Sequence, residues 1–204
     1  MPDPHFRLCL ILSRKLCRRD PLAVLSESLR GGVDLVQIRE KELLPREWAA
    51  WVREVLPLCQ AFRVPLVVND SVEVAAVTGA DGVHLGQEDL TPAQARQILG
   101  AGKLIGWSTR TLSQVQQAAR EGIVDYVGFG PAFPTSTKGY VTGLGPAAVR
   151  HAAVQAAQLR LPLLAIGGIA VENRGELGEK TGLAVSAALC QAEDSAAIAR
   201  QLLA

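Results

Sequence analysis

The chain has 204 residues, is 49% hydrophobic and 20% charged, and carries a formal net charge of +1 at pH 7. That length suits one domain with a sizeable buried core, which we expect residues 1–204 to form. So even a charge balance gives no ground for nucleic acid, a membrane surface or generally acidic partners, and any anion must be held by a local cluster. No apolar run approaches the roughly 20 residues of a membrane span. Cys9, Cys17, Cys59 and Cys190 are scattered, as are His5, His84 and His151, so metal-type spacing is absent and a reducing, cytoplasmic setting is expected.

The first predicted element is the apolar segment 8–12 (LCLIL). His5, Arg7, Arg14 and Lys15 surround it, but no small-residue cleavage site follows, so a strand explains it better than a secretion signal. Helical and apolar stretches then alternate. PLAVLSESLRG leads to VDLVQI (33–38), PREWAAWVREVLPLCQAF to VPLVVN (64–69), and SVEVAAVTG to DGVHL (81–85). TPAQARQILG precedes KLIGW (103–107), TLSQVQQAAREG precedes VDYVGFG (124–130), and PAAVRHAAVQAAQ precedes LPLLAIGG (161–168). VENRGELGEK, the run GLAVSAAL (182–189) and SAAIARQLLA close the chain. Short, wholly apolar strands between amphipathic helices indicate a parallel sheet covered by helices. Ser71 and Thr91-Pro92 read as helix starts, and Gly32, Gly79, Gly100 and Gly122 as helix stops. Eight units of roughly 25 residues make the α/β chain a minimal (β/α)8 barrel, a TIM barrel. A doubly wound open sheet is the alternative, but no Gly-x-Gly-x-x-Gly follows the first strand.

A barrel performs its chemistry on the loops after its strand ends, and the unusual polar clusters fall there. They are Gln37-Ile38-Arg39-Glu40-Lys41, Asn69-Asp70, Gly86-Gln87-Glu88-Asp89, Ser108-Thr109-Arg110, the stretch from Gly130 to Lys138, Gly167-Gly168 and Ser186-Ala187. Arg39, Lys41 and Lys138 would converge on the mouth and suit a multiply charged anion such as diphosphate. The competing reading pairs Arg39 and Lys41 with Glu40 and Glu42 on the surface.

Asp70 and Asp89 end neighbouring strands, about 5 Å apart laterally, where two carboxylates suit one magnesium ion. The plainer reading makes each a helix N-cap. Pro134-Thr135-Ser136-Thr137-Lys138, with Gly143 and Gly145 beyond, reads as a hydroxyl-bearing loop able to close over a ligand. Gly167-Gly168 and the eighth strand end occupy a place where barrels bind phosphate on backbone N–H groups. His84 is read as a satisfied core histidine in preference to a general base. Trp48 and Trp51, at i, i+3, are read as packing. Trp107 is open to either packing or contact with a ring ligand.

Residues 37–41 resemble the Gln-x-Arg-x-Lys motif of the thiamine phosphate synthase family. Residues 68–90 (VNDSVEVAAVTGADGVHLGQEDL) resemble its Asn-Asp…Ala-Asp-Gly-x-His-x-Gly-Gln-x-Asp signature, and GPAFPTSTK and AIGGI complete the pattern in order. The resemblance implies that Arg39, Lys41, Ser108 and Lys138 are catalytic and, with Gln37 and Asn69, hold a hydroxymethylpyrimidine diphosphate. Ile38 and Glu40 belong to the same substrate-binding segment. It further implies Mg2+ on Asp70 and Asp89, loss of diphosphate to a pyrimidine-stabilised carbocation, and attack by the nitrogen of a thiazole phosphate. The thiazole phosphate would rest on Thr135, Ser136, Thr137, Gly168 and the backbone at Ser186-Ala187.

The chain departs from the pattern at residues 170–183, which are shorter, with Thr181-Gly182 where Gly-Ala-Asp-Gly is expected. Gly175 and Gly178 weaken that helix. Two alternatives follow from the resemblance. One is a thiazole tautomerase, which relies on a His where this chain has Arg110, a residue unable to shuttle protons at neutral pH. The other is a non-catalytic regulator that binds a thiazole or pyrimidine phosphate. A homo-oligomer is left open.

Overall fold

Eight strands close in chain order into a parallel barrel, β1 pairing with β8 through Leu8 opposite Leu183. They are β1 (Leu8–Leu12), β2 (Leu35–Ile38), β3 (Leu66–Asn69), β4 (Gly82–Leu85), β5 (Leu104–Thr109), β6 (Tyr126–Phe129), β7 (Leu163–Ile166) and β8 (Gly182–Val185). The computed structural model describes residues 6–135, 141–178 and 181–204. The strands are buried on both faces, which is why they read as continuous apolar runs. Inside the barrel, Cys9, Ile11, Leu35, Val67, Tyr126, Leu164 and Ala184 form one apolar cluster. Leu8, Leu10, Val36, Ile38, Val83 and Ile105 point outward into the larger layer beneath the helices. Each fully buried Leu or Ile there stabilises the fold by about 1.5–3 kcal/mol.

The helices are α1 (Pro21–Arg30), α2 (Pro45–Ala61), α3 (Val72–Thr78), α4 (Pro92–Leu99), α5 (Leu112–Glu121), α6 (Pro146–Gln158), α7 (Val171–Arg174), α8 (Ala187–Cys190) and α9 (Ser195–Leu203). Proline opens α1, α2, α4 and α6, where its missing N–H is harmless and its fixed φ is already helical. Ser71 accepts from Val74 N, and Thr91 forms a reciprocal capping box with Gln94, as the sequence suggested.

Two expectations change. The run 182–189 is strand only as far as Val185, and α8 begins at Ala187. An apolar stretch of that length has no period to separate the two states. The helix expected over 171–180 is one turn, α7, continued by a 3-10 turn at Gly175–Leu177, as its two glycines favour. Gly32 does stop α1, as expected: it follows the C-cap Gly31 at φ +105°, with Gly32 N donating to Leu29 O and Val33 N to Ser28 O.

Candidate active site

The C-terminal ends of the strands open on two adjoining cavities. One is floored by Ile11, Ile166 and Ala184 and rimmed by Gly128, Gly130, Gly168, Arg110, Thr135 and the start of α8. The other is charged, with Lys15, Arg39, Lys41, Asn69, Asp70 and Asp89 on its walls. Arg39, Ser108 and Ala187 line both. Two unlike compartments therefore meet at a guanidinium and a hydroxyl.

Arg39 follows β2 at the position that continues the inward-facing Leu35 and Gln37. Burial pushes its pKa down, while Asp70 and Glu40 push it back up. A guanidinium stays protonated through such a shift, so a partly dehydrated cation faces both cavities. Glu40 and Glu42 do not neutralise it by pairing. Glu40 accepts from Arg14 N at 2.8 Å and sits 3.8 Å from the Arg14 guanidinium, and Glu42 pairs with Lys15. Among the described residues Arg39 and Lys41 enter no ion pair, so the surface-pair reading is replaced. Glu40 is thereby committed to the loop after β1, and Ile38 is wholly buried under the helices. Glu40 also lines the charged cavity, whereas the Ile38 side chain does not reach it.

Asp70 and Asp89 line the charged cavity together. Neither caps a helix: Ser71 starts α3 and Thr91 starts α4. Asp70 stands at φ +62°, a strained setting for a residue other than glycine, and its N–H donates to His84 O at 2.8 Å. Asp89 turns one oxygen to Gly86 N at 2.6 Å. Among the described residues no group of three or more His, Cys, Asp or Glu is placed to hold a metal. Two carboxylates without further protein ligands suit magnesium, which keeps its waters and takes its other oxygens from phosphate.

Gln37, Asn69 and His84 are buried polar side chains around the inner wall, and Ser108 is partly buried beside them. His84 Nε2 lies 2.9 Å from Ser108 Oγ, and Nδ1 lies 3.1 Å from Tyr126 Oη. Both ring nitrogens are occupied, in keeping with a core histidine. Trp107 packs in the outer layer beneath the helices, away from the barrel mouth. Trp51 is buried with the Arg14 guanidinium 5.3 Å above its ring.

Gly168 stands at φ +64°, and a Cβ there would meet Pro134 O at 2.4 Å, so only glycine fits. Asn173 holds this turn, donating to Gly168 O at 2.8 Å and accepting from Ala170 N at 2.9 Å. The Ser186 hydroxyl donates to Ile11 O at 2.8 Å, so its hydrogen is committed away from the cavity it lines. Ser136, Thr137 and Lys138 lie outside the described residues. Ser13, Lys15 and Gln191 line the charged cavity without having been singled out as site residues. Ser13 and Lys15 follow β1 directly, so the strand-end rule would have found them.

The family model for thiamine monophosphate synthase matches residues 8–189. The chain belongs to this family. Among relatives, the thiamine-phosphate synthase of Chlorobium luteolum is 42% identical, with 100% of this chain and 95% of the relative covered. That of Azorhizobium caulinodans is 40% identical over 99% of this chain and 96% of the relative. The solved thiamine phosphate pyrophosphorylase from Pyrococcus furiosus superposes with a TM-score of 0.84 at 30% identity, covering 97% and 94% of the two chains. The family match therefore spans nearly the full length of the chain.

Proposed function

We propose that residues 1–204 act as one barrel unit that condenses hydroxymethylpyrimidine diphosphate with thiazole phosphate, giving thiamine phosphate and diphosphate. The observation that carries this reading is the pair of adjoining cavities sharing Arg39 and Ser108. The charged cavity suits a diphosphate, and the apolar one suits a ring bearing a single phosphate. Family membership and full-length relatives named for that activity support it.

Arg39 and Lys41, with Lys138, would bind the diphosphate and stabilise the negative charge that grows on it as the carbon–oxygen bond breaks. Asn69 would donate to a diphosphate oxygen, and Gln37 and Ser108 would fix the pyrimidine ring. Asp70 and Asp89 would hold Mg2+, which when bound supplies further neutralisation of the leaving group. The Gly168 turn and the backbone of Ala187, with Thr135, Ser136 and Thr137, would seat the thiazole phosphate. Its ring nitrogen then attacks the exocyclic carbon, so no protein nucleophile is required. Two of the four thiols are far from reactive thiolates, burial pushing Cys9 up and Cys59 up to about 12. Four cysteines without disulfides support a reducing, cytoplasmic setting. Among the described residues no helix is long and apolar enough to cross a membrane.

The test is to incubate the protein with both substrates, with and without magnesium, and measure thiamine phosphate. Product that requires magnesium and is lost in Asp70→Ala is the expected result. Binding of one substrate without product would overturn the reading in favour of a tautomerase or a silent sensor.

A further inference from the structure

The reaction proposed above gives His84 no task, yet the barrel makes unusual room for it. His84 lies opposite Gly106 on β5, and Gly106 lies opposite Tyr126 on β6. A Cβ on Gly106 would come within 2.3 Å of Tyr126 Cζ and 2.4 Å of His84 Nδ1, and one on Gly128 within 3.3 Å of His84 Cε1. Two neighbouring strands thus omit side chains where two rings fill the interior. The rings touch, with centroids 5.4 Å apart. Beneath them Phe6 packs edge-on against Tyr126 at 5.5 Å. The result is a buried row running from Tyr126 through His84 to Ser108, which ends at the wall shared by the two cavities.

A neutral imidazole has one donor nitrogen and one acceptor nitrogen, so the two hydroxyls at its ends must take opposite roles. A phenol is a stronger donor than an aliphatic hydroxyl; burial raises the Tyr126 pKa, and the Gln37 side chain contributes a hydrogen bond that opposes that rise. Tyr126 then donates to Nδ1, Nε2–H donates to Ser108 Oγ, and the Ser108 hydrogen is left to point into the mouth. We propose that His84 is a positioning residue for the condensation: clamped by Tyr126, it turns Ser108 into a fixed donor that selects a ring nitrogen of the pyrimidine. This rests on the proposed reaction. The acceptor on the substrate would be an aromatic nitrogen in the ring plane, which separates an aminopyrimidine from a carbocyclic isostere.

Two substitutions separate the ends of the ring. His84→Gln places an amide near the Nε2 position, within reach of Ser108, whereas His84→Asn places one near Nδ1, within reach of Tyr126 only. Removing one positioned donor costs about 100-fold in kcat, so Ser108→Ala and His84→Asn are each expected to fall by about that factor. His84→Gln is expected to stay within about fivefold of wild type, and the double variant His84→Asn/Ser108→Ala to be no slower than Ser108→Ala alone. Additive losses in the double variant would mean that His84 acts independently of Ser108 and would overturn the inference. A wild type that makes no thiamine phosphate would instead overturn the reaction itself. Should His84→Asn fail to fold, nitrogen-15 spectra of histidine-labelled wild type decide: the Nε2–H tautomer is expected, and an Nδ1–H tautomer reverses the polarity and sinks the proposal.

Discussion

Asp70 carries two burdens at one position. Its backbone sits at φ +62°, while its side chain faces the charged cavity beside Asn69 and Arg39. A left-handed conformation costs a residue with a Cβ on the order of 1 kcal/mol, and the surroundings must impose it. Replacing Asp70 with Gly relieves that strain, and replacing it with Ala keeps it. Asp70→Gly is therefore expected to be more stable than Asp70→Ala by about 1 kcal/mol, read from denaturant midpoints at constant slope. Both variants should lose about 100-fold or more in turnover, because neither supplies a carboxylate for magnesium. Equal stability of the two variants would show that the positive φ is not strained; full activity in either would remove Asp70 from the metal site.

The shortened seventh unit loses length yet still braces the glycine turn beside it. α7 is a single turn, yet Asn173 within it ties both Gly168 O and Ala170 N, so the turn proposed to seat the thiazole phosphate is held by one amide. Asn173→Ala is expected to cost about 1 kcal/mol in stability, as other lost caps do. It should also raise KM for the thiazole phosphate about tenfold with kcat within about twofold, since a loosened turn weakens ground-state and transition-state binding alike. A matching fall in kcat would place the turn in the chemistry instead. Such contacts also mark what the sequence could and could not reveal. LVVN and GVHL read as strands because both faces are buried, and Ser71 and Thr91 read as caps because their partners lie three residues on. Arg39, Lys41, Asp70 and Asp89 were legible because charged residues at strand ends have few structural uses. Arg14 claiming Glu40, Ser186 turning to Ile11, and Tyr126 reaching His84 span 26, 175 and 42 positions, and no local pattern encodes them. The α8 turn was hidden for a different reason, because only Ser186 separates the apolar strand from AALC and four residues are too few to show a helical period.

Closure of the barrel brings the two ends of the chain together, and one carboxylate pins the seam on its outer side. Glu27 in α1 receives both guanidinium nitrogens of Arg19, at 2.9 and 2.6 Å, and also Ser195 N at the start of α9, 168 residues away. The same Arg19 donates to Ala192 O. The Arg19 hydrogen bond is the largest influence holding the Glu27 pKa down, at about 2, with burial opposing it and the Ser195 N–H assisting. An unfolded glutamate titrates near about 4.3, so the folded protein holds this carboxylate ionised where the unfolded chain already takes up a proton. Its stabilisation is complete above the unfolded pKa and is lost as pH falls through the folded one. Glu27→Gln should accordingly melt below wild type at pH 7, and the gap should close between about pH 4.3 and pH 2. High salt should narrow the gap at pH 7 as well, because the pair is partly exposed and screened. No gap at any pH from 7 to 2 would mean that the charge contributes nothing and that Glu27 holds α9 through its hydrogen bond to Ser195 alone, which Gln also supplies with its carbonyl oxygen.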